Sequence, residues 1–320
     1  MKHVGLLLLL VILTYDHIWA DEEGNVYWTL DQSPILVQNN VLIPSGSILS
    51  IEAGTEVLFA KGIGIVIKGR IRTVNDGKAY LKGESTSLWK GVEFQTEEEF
   101  TVENLHISNA SQAIKLVSSD KVTISNNVLE NNTYGVVLMV NDGNRGRVNS
   151  ILDNQIRNNV TGVSVNSTGA NLERNIIADN QSYGVNLTGG SCGAGSACGW
   201  SSSLSNNLVS GSDIAIRIYG HNFVCKNNDI YNSTVGISVR NLRNTTYSID
   251  NNNVVGWSAY ALINENSDDL NAGNIWLGQT DIAKSICDIT SNISRGKVDI
   301  IAGTERFPTN HGFELPEVND

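Results

Sequence analysis

Proline (4 residues), cysteine (4) and methionine (2) are scarce in this chain of 320 residues, and aromatic side chains make up only 7%. Each shortage excludes something. Four cysteines are too few for a chain of this length to be a disulfide-dense scaffold. Lysine and arginine number 22 against 33 acidic residues, leaving a net charge of −11 and a pI near 4.9. That balance argues against nucleic acid or an anionic membrane as partner. No segment after residue 20 approaches the roughly 18 consecutive apolar residues of a membrane span, so no anchor is expected in the mature chain. Apolar residues nowhere keep helical spacing over ten or more positions, which speaks against leucine-rich and ankyrin-type repeats.

What the chain does have is a repeat between Asn104 and Asn264. Copies begin at Asn127, Asn154, Asn175, Asn207, Asn228 and Asn253, each followed by a small residue: Gly135, Gly162, Gly184, Ala215, Gly236 and Ala261. A weaker first copy runs from Leu105 to Leu116. The period of about 21–32 residues is that of a solenoid. Within copies the apolar residues alternate, as in Gly162-Val-Ser-Val165 and Gly236-Ile-Ser-Val239. Alternation of period two is a strand with one buried face. The fold expected is all-β, a single-stranded, right-handed parallel β-helix of about ten coils, the hand following from the crossover rule.

Stacking the copies defines columns. Ile124, Ile151, Leu172, Leu204 and Cys225 form one interior ladder, and Leu129, Ile156, Ile177, Val209, Ile230 and Val255 another. The leading Asn column belongs at a bend, where stacked amides bond one another and Asn tolerates left-handed backbone. A second polar column is read at Asn109, Asn131, Asn158, Asp179 and Asn232. The Gly/Ala column supplies either positive φ or close backbone approach.

Around the repeat the chain divides simply. Residues 1–20 read as a signal peptide: Lys2, an apolar run from Val4 to Leu13, and Ala20 before Asp21. The β-helix itself spans 21–302, with opening coils at 26–100, Asn-rich repeats at 101–264 and a closing cap at 265–302; 303–320 is a polar C-terminal tail. The chain is therefore expected to be secreted.

The opening coils carry Trp28-Thr, Ser33-Pro, Val41-Leu-Ile-Pro-Ser-Gly46, Leu49-Ser-Ile-Glu-Ala-Gly54 and Trp89-Lys-Gly-Val-Glu-Phe94, and the far end carries Asn274-Ile-Trp276-Leu-Gly278. Over about residues 25–302 this pattern resembles secreted right-handed β-helix proteins of the pectin-lyase-like fold, and among animal proteins the β-helix modules of Bark beetle-type extracellular proteins. The resemblance implies the fold. Lyases, hydrolases, adhesins and binding proteins share that architecture, so it does not imply an activity.

Insertions at 141–147, 188–203 and 241–247 lengthen three copies. The largest contains Cys192 and Cys198, read as a local disulfide in a secreted chain. Cys225 falls in an interior ladder, where burial as a small apolar residue competes with a bond to Cys287. Among the Asn-x-Ser/Thr sequons, Asn159, Asn166, Asn186 and Asn244 lie near turns or insertions and are the candidate glycan acceptors.

The resemblance brings polygalacturonase-like hydrolysis to mind, which needs Asn-x-Asp, Asp-Asp, Gly-His-Gly and Arg-x-Lys in order. Here Asp268-Asp269, Gly220-His221-Asn222 and Arg295-Gly-Lys297 stand in the wrong order, and Asn-x-Asp is missing. The slots that would hold a lyase's calcium-binding carboxylates hold Asn. No catalytic residue, metal or cofactor is assigned, and His106 and His221 read as isolated surface residues. Trp89 and Trp276 read as covers for the solenoid ends. Arg217 and Arg240, on adjacent coils, are candidates for contacting an acidic glycan, and Trp200 for stacking on a ligand. The expected function is recognition of an extracellular protein or polysaccharide through loops on a rigid solenoid. The alternative is a polysaccharide lyase or glycoside hydrolase.

Overall fold

The computed structural model describes residues 24–309, apart from 85–86, 97, 119–120, 140–147, 190–200, 243–244, 279–280, 289–294 and 304. It is a parallel β-solenoid of about 10 turns. Three faces run along it. Face 1 is one 12-stranded sheet, face 2 one 11-stranded sheet, and face 3 a 3-stranded sheet followed by a 7-stranded one. One coil shows the plan: Val122–Ser125 on face 3, Val128–Glu130 on face 1 and Tyr134–Met139 on face 2. Among the described residues, helix is confined to Ile282–Ser285 and a 3-10 turn at Leu30–Gln32, and no helix is long and apolar enough to cross a membrane.

The inward columns are continuous. On face 1, Leu129, Ile156, Ile177, Val209 and Ile230 stack in register with Val254, all of them at most 1% exposed. Each such rung contributes roughly 1.5–3 kcal/mol of burial. Val254, not Val255, closes this column. Val255 pairs with Tyr231 on the outer side, because the last copy's ladder residue is Asn252, the middle of three consecutive Asn, and not Asn253. A slip of one residue exchanges the two faces of a strand. On face 3, Ile124, Ile151, Leu172, Leu204 and Cys225 stack as expected and continue to Ile249. Cys225 and Cys287 are both free and buried, and burial pushes the Cys225 thiol up to about 12. The bond between them weighed from sequence is not made.

Two bends carry one grammar. At the first, Asn126, Asp153, Arg174, Asn206, Asn227 and Asn251 have positive φ, and the residue after each is a buried Asn. Asn127, Asn154, Asn175, Asn207, Asn228 and Asn252 form that ladder, each Oδ1 accepting from the preceding coil. The tasks that sequence reading gave to one Asn are thus divided between neighbours. At the second bend Asn109, Asn131, Asn158, Asp179 and Asn232 are the left-handed residues. The hydrogen-bonding ladder is the next position, Asn132, Asn159 and Asn180; at the same position further on, Ser233 Oγ accepts from the Ser212 N–H, while Ser212 Oγ is buried without a partner among the described residues. The small column is set by close approach, not by φ. A Cβ on Gly135 would come 2.6 Å from the Gly162 carbonyl and 2.6 Å from Ile156 Cγ2.

The ends are closed differently. Near the start, Phe59 stacks on Trp89 at 4.1 Å between centroids, and Trp89 is fully buried with its indole N–H on the Ser108 carbonyl at 2.9 Å. Trp89 is a core rung, and Trp276 lies half-buried on the outer side of face 1 beside Asn253. Neither tryptophan covers an end. At the far end the apolar column of Leu187, Ile218 and Val239 terminates in Asn264, which is fully buried and donates to the Asp268 and Gly296 carbonyls.

Candidate functional site

Outward side chains form rows as regular as the interior columns, with rungs about 4.8 Å apart. Along face 2 one row runs Val137, Ser164, Asn186, Arg217, Ser238, Ile263. A parallel row runs Met139, Asn166, Thr188, Tyr219, Arg240, and a third contains Tyr134, Thr161, Tyr183 and Ile214. Arg217 points outward because its strand neighbours Ile216 and Ile218 point inward, both fully buried.

Arg217 is the centre of this face. Its guanidinium lies 5.6 Å from the Tyr183 ring and 5.7 Å from the Tyr219 ring, and Nη1 donates to Asn186 Oδ1 at 3.2 Å. Arg240 lies 5.8 Å from the same Tyr219 ring. Such cation–ring contacts hold the guanidinium planes at the surface while leaving N–H groups for a ligand. Arg240 is more than half exposed and 3.9 Å from Glu265, whose other oxygen accepts from Ser238 Oγ at 2.6 Å. Among the described residues no carboxylate reaches ion-pair distance of Arg217. The three insertions all depart from this edge of face 2: they follow Met139, Thr188 and Arg240, each the last residue of its strand.

Face 1 has a second charged cluster. His106 Nε2 and Glu130 Oε1 are 2.8 Å apart, Arg157 Nε donates to Glu130 Oε2 at 2.9 Å, and the Tyr80 ring leans on His106 at 5.3 Å. Burial alone raises Glu130, but hydrogen bonds from His106 and Arg157 outweigh it and hold the carboxyl below its usual range. The cluster is internally paired and flat. A shallow groove of about 470 Å³ follows the second bend, lined by Leu88, Asn131, Asn158, Val160 and Gln181, with Asp179 its one charged group.

The residues expected from sequence fall out as follows. Arg217, Arg240 and Asn186 are brought together. Asn166 sits in the same face, donating to Ser164 Oγ at 3.1 Å. Trp200, Cys192, Cys198 and Asn244 lie outside the described residues. Asn159 is corrected: it is 2% exposed, and its Nδ2 donates to the Leu129 carbonyl and Asn180 Oδ1, so the folded chain offers no free amide for a glycan. His221 is corrected too. It is 1% exposed, with Nε2 2.9 Å from Ser202 Oγ and Nδ1 without a partner. His106 is paired, not isolated. Asp269 and Lys297 meet in the closing cap through a backbone bond of 2.7 Å, away from face 2. Sequence reading missed Tyr183, Tyr219 and Glu265. Tyr219 was within reach, since it lies two residues from Arg217 on an alternating strand.

Compared with known families, residues 67–294 match the model described as periplasmic copper-binding protein (NosD). No curated protein and no solved structure matches the chain.

Proposed function

Because the match covers most of its length, this chain belongs to the NosD family of periplasmic copper-binding proteins, and from that premise we propose that it acts outside the cytoplasm as a recognition solenoid. Its ligand is a carboxylate-bearing polysaccharide held along face 2. The signal-like segment 1–20 agrees with that compartment.

The copper in the family's description does not fit the described residues of this chain. Copper sites draw on imidazole, thiolate or thioether donors gathered at one point. Among the described residues no three His, Cys, Asp or Glu side chains converge. His106 is engaged by Glu130, while His221 and Cys225 are sealed inside the solenoid.

The observation that carries the proposal is Arg217 held between Tyr183 and Tyr219, with Arg240 one coil on. Guanidinium groups bind carboxylates in forked geometry, tyrosine faces stack on sugar rings, and Asn166, Asn186 and Thr188 add amides and a hydroxyl. A repeating uronate chain meets such groups at a repeating interval. The test is a glycan array with the purified protein, alongside a reducing-end assay. Binding to uronate polymers that Arg217→Ala and Arg240→Ala each weaken supports the proposal. Binding confined to neutral glycans overturns it, and product formation from those polymers replaces it with the enzyme alternative.

A further inference from the structure

Beyond residue 303 the chain, expected as a free polar tail, turns back over the outer side of face 1. The Gly303 N–H donates to the Ile275 carbonyl at 2.8 Å, and residues 306–309 then bond Asp229 and Asn253, two members of one outward row. Their attachment is not a sheet ladder. Asn253 grips the backbone of a single residue from both sides of its Cα, accepting the Phe307 N–H at 2.8 Å and donating to the Phe307 carbonyl at 2.9 Å. Arg306 Nη2 meets Asp229 Oδ2 at 3.0 Å and its guanidinium lies 5.8 Å from the Tyr231 ring. The Thr309 hydroxyl donates to the same carboxylate oxygen. From within the sheet, Asn253 Nδ2 and the Tyr231 hydroxyl donate to Asp229 Oδ1 at 2.8 and 3.0 Å.

This is how side chains read an extended peptide: one amide clamps the backbone and one carboxylate, backed by an aromatic ring, selects a cation. Asp229 is fully buried. A carboxylate covered so completely is costly unless paired, so its presence on the outer side is tied to the arginine that meets it. Burial raises the acid, yet the hydrogen bonds of Thr309 and Asn253 and the charge of Arg306 outweigh that and keep it ionised. Elsewhere in the same row stand Val128, Gln155, Ile176 and Leu208, which offer no such set. Residues 305–309 belong to no interior column, so releasing them leaves every ladder intact and re-exposes the trio to water.

We infer that Asp229, Tyr231 and Asn253 form a docking site for an extended, arginine-bearing peptide segment of a partner protein, occupied in this chain by its own residues 305–309. The inference stands apart from the glycan proposal, which concerns face 2. Tethering makes the internal segment an effective competitor, at roughly millimolar effective concentration, so the intact chain takes an outside peptide poorly until the strap is weakened.

The test uses the full chain and a fluorescent peptide, capped at both ends, of sequence Glu-Arg-Phe-Pro-Thr. The Arg306→Ala chain is expected to bind it saturably, at least about tenfold more tightly than the wild-type chain. Phe307→Pro, which removes the N–H given to Asn253, is a second way to free the site should Arg306→Ala fold poorly. Replacing the peptide's arginine by alanine should abolish binding, a control that leaves the protein untouched. Adding Asp229→Asn to the Arg306→Ala chain should do the same, with circular dichroism unchanged. No saturable binding to either freed chain, or binding indifferent to the peptide's arginine, overturns the inference.

Discussion

Asn154 Oδ1 accepts both the backbone N–H and the side-chain amide of Asn127, at 3.0 and 3.1 Å, and Asn154 passes its own two donors to Asn175 in the same way. Each Asn in the ladder from Asn127 to Asn228 is therefore an acceptor for the coil before it and a donor to the coil after it. At the bend the ladder carbonyls keep backbone bonds to the next coil, as Asn127 does to the Gln155 N–H, while the side-chain amide of that coil satisfies the Asn127 N–H.

Removing one member should unsettle its neighbour. In Asn175→Ala the fully buried Asn154 N–H loses its acceptor, while Asn154 Nδ2 keeps the Ile124 and Leu152 carbonyls. With one buried donor left unmet, the loss should be about 1–3 kcal/mol. Asn175→Asp keeps the acceptor but sets a carboxylate against Asn207 Oδ1, now 2.9 Å from Asn175 Nδ2, and should be at least as damaging. Chemical denaturation of the two variants beside wild type measures this; a change under about 0.5 kcal/mol would show the ladder to be ornamental.

Ile177→Asp probes the interior in the same coil. Ile177 is fully buried between Ile156 and Val209, and an unpaired carboxylate there costs several kcal/mol, comparable to the stability of many domains. The variant should fail to accumulate in folded form, read by soluble yield and far-ultraviolet circular dichroism. A normal yield with a normal thermal midpoint contradicts the inward assignment.

These positions also show how far the sequence was legible. Alternation and the constant spacing from Asn to the small residue reveal strands, columns and the coil plan, because interior rungs repeat. Which Asn of an adjacent pair turns left-handed and which is buried is invisible in Asn126-Asn127, Asn131-Asn132, Asn158-Asn159 or Asn251-Asn252, where both candidates are chemically identical. That ambiguity produced the one-residue slip at Val255 and the misreading of Asn159. Arg217 was visible as a charge, but its contacts to Tyr183 and Asn186 lie one coil away, 31 residues back for Asn186, and depend on register across an insertion. The strap at 305–309 had no signal at all, because it makes its contacts once and outside the repeat.

Acid should weaken the fold in two separable stages. Burial pushes His221 down to about 4 from an ordinary 6.5, so the folded state holds it neutral while the unfolded chain protonates it. Its contribution is fully present above about pH 6.5 and is lost as pH falls toward 4, by roughly 3 kcal/mol at 1.36 kcal/mol for each pH unit. Glu93, Glu130 and Asp229, held below their usual range, contribute stability that is lost only at lower pH. Unfolding free energy measured from pH 7 to pH 4.5 should therefore fall in wild type and stay nearly level in His221→Gln, which cannot take up that proton. Equal slopes for the two proteins would mean that His221 is not held neutral.

The claim that face 2 recognises carboxylates is tested most directly from the ligand's side, where no variant can misfold. Isothermal titration of the full chain with a uronate hexasaccharide is compared with titration by the same oligosaccharide after its carboxyl groups have been reduced to alcohols. The account predicts saturable binding of the acidic form and at least about tenfold weaker binding of the reduced form, since losing charge-assisted bonds to Arg217 and Arg240 at about 1.5–3 kcal/mol each removes that much or more. Equal affinity for the two forms, or no binding of the acidic one, would contradict it.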